Sequence, residues 1–170
     1  MPKYHNELGW PTLPAELEKQ VLDLVHIAPN IWPTKAREGD YFQYEVPENI
    51  KEWCYTNLPI SREYWIRIHR FTNHEADDIH IDQNRSDGYN YLVTPAGPTT
   101  EWYSDRFGTE VLENTVCKQS TWYWFDVSTM HTVRGMTEDR IAITTFLPKP
   151  WRNYSNNDFR VEAGLPKWGE

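Results

Sequence analysis

The apolar positions in the first third of the chain recur at helical spacing. Leu17, Val21, Leu24 and Val25 fall on one face of a helix over 14–27, with Pro14 tolerated in its first turn. Such a helix is expected to cover one face of a sheet. The preceding residues, 1–13, read as an extended arm. Pro29, Pro33, Pro47 and Pro59 punctuate 28–62, which reads as loops carrying a short strand at 40–46 and a short helix near 48–56.

From residue 64 the pattern changes. The stretch YWIRIHRF (64–71) is rich in aromatic and β-branched residues and has no breaker, as in a strand. A polar loop at 73–78 leads to an extended 79–82 and a turn signal at 85–88 (RSDG). Strands are predicted at 89–94, 99–103, 109–116, 120–126 and 140–146, with turns at 95–98 and 104–108 and a loop around His131 over 128–138. Short strands every 8–12 residues after an N-terminal helix predict a mainly β fold, an antiparallel barrel or double sheet. The organisation expected is a single domain over 1–170. The arm, helix and loops occupy 1–63, the β core 64–147, and an aromatic tail 148–170. That tail mixes Trp151, Tyr154, Phe159 and Trp168 with polar residues and is a candidate for oligomerisation.

Composition fits this picture. The chain has 170 residues, enough for one core, and its nine Trp and ten Tyr imply a core built on rings. The formal net charge of −8, with no Lys/Arg stripe, disfavours nucleic acid as a partner. Cys54 and Cys117 do not make a disulfide framework, which points to a reducing, cytoplasmic setting. MPKYHNELGW has no apolar signal region, and no stretch approaches the 18 or so apolar residues of a membrane span.

The candidate chemistry starts at His80-Ile81-Asp82. On a strand, residues i and i+2 share a face, so the imidazole and carboxylate converge while Ile81 turns away. His131 follows an aromatic strand, and Arg140 opens the strand RIAITTF. Two imidazoles and one carboxylate make a three-ligand site for a divalent metal. It leaves three positions open, the facial triad of non-haem iron(II) oxygenases. Arg140 can then clamp a carboxylate in bidentate fashion.

In these residues, over about 64–146, the chain resembles the 2-oxoglutarate/iron(II)-dependent oxygenases. Their order is the strand YWIRIHRF, the dyad HID, the strands YNYLV and TEWY, then His131 and Arg140. The segment WYWFDVSTMHTVRGMTEDRIAITTF is also similar to the aspartyl/asparaginyl β-hydroxylase branch. That branch usually lacks the acidic ligand, which this chain keeps as Asp82.

The resemblance implies a double-stranded β-helix core of jelly-roll, cupin-like form. It implies iron(II) held by His80, Asp82 and His131, and 2-oxoglutarate as cosubstrate with its far carboxylate on Arg140. The hydroxyl usually found two residues after that Arg is replaced by Ala142, so Thr144 or Tyr91 is expected to supply it. Arg85 and Arg134 are rival anchors or substrate contacts, each against a simpler role as a solvated loop cation. Trp102, with Trp122 and Trp124, is either a pocket wall or a core aromatic. His5, His26, His69 and His74 receive structural or surface roles.

The function expected is a hydroxylase-type dioxygenase acting on a small-molecule or peptide substrate. The alternatives are a non-catalytic binding or structural protein that keeps the fold, possibly of phage type and so found in a host cytoplasm or virion, and a cupin-like metal enzyme that does not use 2-oxoglutarate.

Overall fold

The structure is a computed structural model that describes residues 2–31, 41–72, 79–82, 85 and 87–148. Two helices follow a short first strand. Helix α1 (Ala15–Leu24) starts after Pro14 and carries Glu16 and Glu18 in its first turn, where the helix dipole favours acid. Helix α2 (Glu48–Asn57) starts after Pro47 and buries Ile50 and Cys54, one turn apart. The helix expected over 14–27 ends earlier, at Leu24, and residues 25–27 form turns.

The strands are β1 (His5–Glu7), β2 (Tyr41–Tyr44), β3 (Trp65–Phe71), β4 (Asp87–Leu92), β5 (Thr99–Tyr103), β6 (Val111–Val116), β7 (Trp122–Asp126), β8 (His131–Arg134) and β9 (Arg140–Phe146). Among the described residues they form a six-stranded sheet, β1-β7-β4-β9-β3-β2, and a three-stranded sheet, β6-β5-β8. All strand pairings are antiparallel. A bridge between His80 and His131 adds the 79–82 segment to the free edge of β8.

The core pairings nest. β3 pairs with β9, the 79–82 segment with β8, β4 with β7, and β5 with β6. Successive pairs alternate between the two sheets, which is the winding of a double-stranded β-helix, or jelly roll.

Two expectations need correction. The loop placed around His131 contains β8, and His131 is its first residue. The turn at 85–88 is shorter than expected, because Asp87 and Gly88 already belong to β4. Hydrogen bonding across the sheet edge, which local sequence does not report, decides both. The arm is tied down as well. β1 pairs with β7, and the Glu113 carboxylate accepts the Lys3 and Tyr4 backbone N–H groups at 2.9 and 2.8 Å. The loop at 73–78, with His74, and the tail from 149 lie outside the described residues. Among the described residues no helix is long and apolar enough to cross a membrane.

The large sheet has two unlike faces. On the outer face, cross-strand partners Tyr44, Ile68, Ile143, Tyr91 and Trp122 form an unbroken row, each at most 2% exposed. Val21 and Val25, with Ile50 and Cys54 of α2, pack on this row. The inner face, turned toward the small sheet, carries Arg67, His69, Asn90, Arg140 and Thr144. Alternation along β3 and β9 therefore sends Ile66, Ile68, Ile141 and Ile143 to the helices and Arg67, His69, Arg140 and Thr144 into the barrel.

Replacing Ile143 by Ala is expected to destabilise the protein by about 2–5 kcal/mol, since the residue sits mid-row with no solvent contact. Val116→Ala, on the exposed edge strand β6, is expected to stay within about 0.5 kcal/mol. Urea unfolding followed by tryptophan fluorescence measures both.

Candidate metal centre

His80 and His131 are held together by the main chain before their side chains meet. The His80 N–H donates to the His131 carbonyl at 3.1 Å, and the His131 N–H returns the bond at 2.9 Å. Residues that exchange bonds in this way present side chains on the same side of the ladder. The two imidazole centroids lie 4.7 Å apart. Two residues on, the Asp82 N–H donates to the Val127 carbonyl at 2.9 Å, which keeps the segment extended and returns the carboxylate to the same side. Ile81 points the other way and is buried. Just before His80, the Ile79 side chain rests on Gly108. A Cβ there would meet Ile79 Cδ1 at 3.0 Å, and φ of +69° also favours glycine.

Asp82 Oδ1 is 3.5 Å from His80 Nε2 and 3.8 Å from His131 Nε2, and the donor atoms of the three residues all lie within 4.8 Å of one another. An octahedral face built on bonds of about 2.1 Å has edges of about 3 Å, so the two edges to Asp82 are within an ångström of that spacing. His131 Nδ1–H donates to the Thr129 carbonyl at 2.7 Å, which leaves the Nε2 lone pair facing Asp82. Burial, reinforced by the neighbouring His80, pushes His131 down to about 4, against the opposing pull of Asp82. Burial alone would raise the Asp82 carboxyl. The Arg85 charge, with His80 and His131, outweighs it and holds Asp82 well below the usual carboxylate range. A neutral imidazole with its lone pair turned inward, an ionised carboxylate and a second imidazole form a donor set that fits a divalent metal.

The remaining predicted residues scatter. Arg140 opens β9 on the inner face and is buried, and its cross-strand partner is Phe71. Its charged form is disfavoured by burial and supported by the Cys117 thiol and Tyr41. Among the described residues no carboxylate pairs with this guanidinium. Thr144 lies on the same face but four residues away, roughly 13 Å along the strand, and its hydroxyl donates to Asn90 at 2.8 Å. It does not adjoin Arg140.

Tyr91 is on the opposite face. Its hydroxyl donates to Glu18 and accepts the Leu13 N–H, inside the helix layer. β4 neighbours β9, but its parity sends the Tyr91 ring away from the barrel.

Arg85 is no solvated loop cation: it is largely buried and pairs with Asp82 at 2.5 Å. Arg134, three residues from His131, faces the other side of β8 and donates to the Tyr103 hydroxyl at 2.7 Å. Trp102 is directly opposite His131, yet its ring is fully buried, stacked on His5 with centroids 5.4 Å apart. It packs in the cluster with Leu92, Tyr123 and Phe125. Trp122 and Trp124 share the outer face with Tyr89 and Tyr91.

His69, read as structural from sequence, lies inside the barrel. The Gln43 amide nitrogen, 3.3 Å from Nε2, donates to it, so Nδ1 carries the proton and donates to the Tyr41 oxygen at 2.9 Å. Burial, with the charges of Arg85 and Arg140, holds His69 well below its ordinary value, hence neutral. Tyr41 and Cys117, the neighbours of Arg140, had no role in the sequence reading. Only the alternation of Arg67 and His69 with Ile66 and Ile68 pointed to a polar interior.

No family model and no curated protein matches the sequence. Solved structures do match. An oxidoreductase of the 2OG-Fe(II) oxygenase family from Burkholderia pseudomallei is similar over 84% of this chain and 82% of its own, at 13% identity and TM-score 0.55. A viral collagen prolyl hydroxylase from Paramecium Bursaria Chlorella virus-1, in complex with 2OG, matches over 87% and 97%, at 11% identity and TM-score 0.49. A deletion mutant of oxalate decarboxylase from Bacillus subtilis matches over 84% and 33%, at 14% identity and TM-score 0.48. At these identities the likeness is one of fold, and the fold is the jelly roll already traced.

Acid is expected to destabilise the metal-free protein. In the unfolded chain His131 takes a proton near 6.5, whereas in the folded one it does so only near 4, so the unfolded state binds more protons in between. Stability is therefore full above about pH 6.5 and is lost as pH falls toward 4, with His69 acting in the same direction. Urea midpoints across this range measure the slope, and His131→Gln should flatten it. Tyr91→Phe should cost about 1 kcal/mol and leave Mn(II) affinity unchanged in calorimetry. Weakened metal binding there would place Tyr91 at the centre after all.

Proposed function

We propose that the protein is an iron(II)- and 2-oxoglutarate-dependent oxygenase of the hydroxylase type. One observation carries the reading. A His-Asp-His donor set and a buried guanidinium without a carboxylate partner among the described residues belong to the interior of one jelly roll. Burying an unpaired ion costs several kcal/mol, and an anionic ligand offsets that cost. A dicarboxylate that reaches a metal with one end and Arg140 with the other meets both requirements. The fold likeness to a protein described as a 2OG-Fe(II) oxygenase supports the same reading.

His80, Asp82 and His131 would hold the iron, leaving the rest of its coordination sphere to ligands. Iron(II) so held supplies the redox chemistry that couples decarboxylation of 2-oxoglutarate to oxidation of a substrate C–H bond. Arg140 binds the far carboxylate through paired N–H donors. Ala142, two residues on, stands where a hydroxyl is usual. Tyr41 stands near Arg140, as does Cys117, whose thiol is bonded to Thr100. Neutral His69 adds no second positive charge to the chamber. Asp82 occupies the acidic ligand position, which separates the chain from the aspartyl/asparaginyl β-hydroxylase pattern and from halogenation, which needs that position vacant. The substrate is a small molecule or a peptide side chain.

With iron(II), ascorbate and 2-oxoglutarate, wild type is expected to release succinate, and His131→Ala is not. Arg140→Gln should weaken N-oxalylglycine binding to the Mn(II)-loaded protein by roughly 30-fold or more in calorimetry, the scale of losing one partner of a buried charge pair. Equal succinate from wild type and His131→Ala, with no heat of N-oxalylglycine binding, would sink the oxygenase reading in favour of a non-catalytic protein that keeps the fold.

A further inference from the structure

The two oxygens of Asp82 are divided between different partners. Oδ1 faces both imidazoles, at 3.5 and 3.8 Å. Oδ2 accepts the Arg85 Nε–H at 2.6 Å and lies 2.5 Å from Nη2 of the same guanidinium. Arg85 is itself well anchored. Its guanidinium carbon lies 4.6 Å from the Phe146 ring centroid, on the inner face at the end of β9. Its backbone bridges to Pro148, two residues beyond that strand. The pair is largely withdrawn from water, with side-chain exposures of 16% for Arg85 and 12% for Asp82. The last strand of the jelly roll thus reaches the acidic ligand through Arg85.

We propose that Arg85 is a positioning residue that fixes Asp82 as a one-oxygen ligand and so keeps a third coordination position open at the centre. The proposal rests on the metal-centre reading. A carboxylate beside a divalent ion can bind through one oxygen or chelate through both. Chelation by Asp82 would occupy a fourth position of an octahedron and leave two. A bidentate organic ligand and a further small ligand together need three. With Oδ2 held by the charge-assisted Nε bond and the close Nη2 ion pair, chelation requires breaking that pair inside a partly dry site. A lysine offers no paired N–H fork and a neutral side chain no charge, so the planar guanidinium suits the task.

The test uses Mn(II) and the full chain. Water-proton relaxation of the Mn(II)-loaded protein reads the number of exchangeable waters on the ion. Wild type should hold three. Arg85→Met keeps an apolar stem over Phe146 but has no donor. It should chelate and hold two, with inner-sphere relaxivity falling by about a third. Its Mn(II) affinity should also change, because partners of a metal ligand typically shift affinity by about 10- to 100-fold.

Equal relaxivity in the two saturated proteins would overturn the proposal and leave the metal centre intact. A wild type that binds no Mn(II) would instead remove the centre, and the proposal with it. If the methionine variant does not fold, wild type alone decides. In the Mn(II)-loaded minus metal-free infrared difference spectrum, widely separated carboxylate stretches mark a one-oxygen aspartate and support the proposal. The narrow separation of a chelate overturns it.

Discussion

The reciprocal backbone bonds between His80 and His131 are the contact on which the site depends. They attach the extended 79–82 segment to the edge of the small sheet and set its register against β8. A slip of one residue would turn Ile81 inward and both His80 and Asp82 outward, because side chains alternate strictly along an extended chain. The pair is itself held from both sides. Asp82 bonds to the Val127 carbonyl, and Trp102 on β5 lies opposite His131. Trp102 in turn donates its indole N–H to the Asp126 carbonyl, tying the small sheet to the end of β7. His80, Asp82 and His131 therefore sit on a ladder fixed by main-chain bonds. This is the pre-organisation a metal site needs before any ion arrives.

Charge inside the barrel follows a simple division. Asp82 is ionised and shared between two imidazoles and Arg85. The imidazoles of His69 and His131 are kept neutral by burial. Arg140 alone brings a buried charge without a carboxylate partner among the described residues. The outer face of the same sheet has no such tension, since its row of large apolar side chains is covered by two helices. The helix-covered apolar row and the buried Arg140 thus lie on opposite faces of one sheet, and the donor residues His80, Asp82 and His131 belong to the other sheet and its edge segment. Tyr91 and Thr144 illustrate the rule, being neighbours in the sheet with opposite parity.

Much of this was legible in the chain. The strands 99–103 and 140–146 were read to the residue, because breakers bound them and their composition favours extended chain. The short helix before Leu58 and the amphipathic first helix announced themselves through proline and apolar spacing. The convergence of His80 and Asp82 followed from the two-residue period of a strand. Local pattern suffices in these cases because the physics is local: backbone dihedrals, side-chain alternation and helix starts.

What the sequence could not determine is which distant residues share a face and a register. The pairing of His80 with His131, the inward turn of His69, the outward turn of Tyr91 and Arg134, and the burial of Trp102 depend on strand order and on which face meets the helices. Arg85 is the clearest case. Three residues after Asp82 it reads as a loop cation, and only its seat on Phe146, from the last strand, turns it back to the carboxylate. The sequence by itself determined the donor types, their spacing and the β-rich class. The tertiary structure decided which donors meet and which charges stay unpaired, because contacts between residues far apart in the chain are set by the folded sheet and not by any local preference.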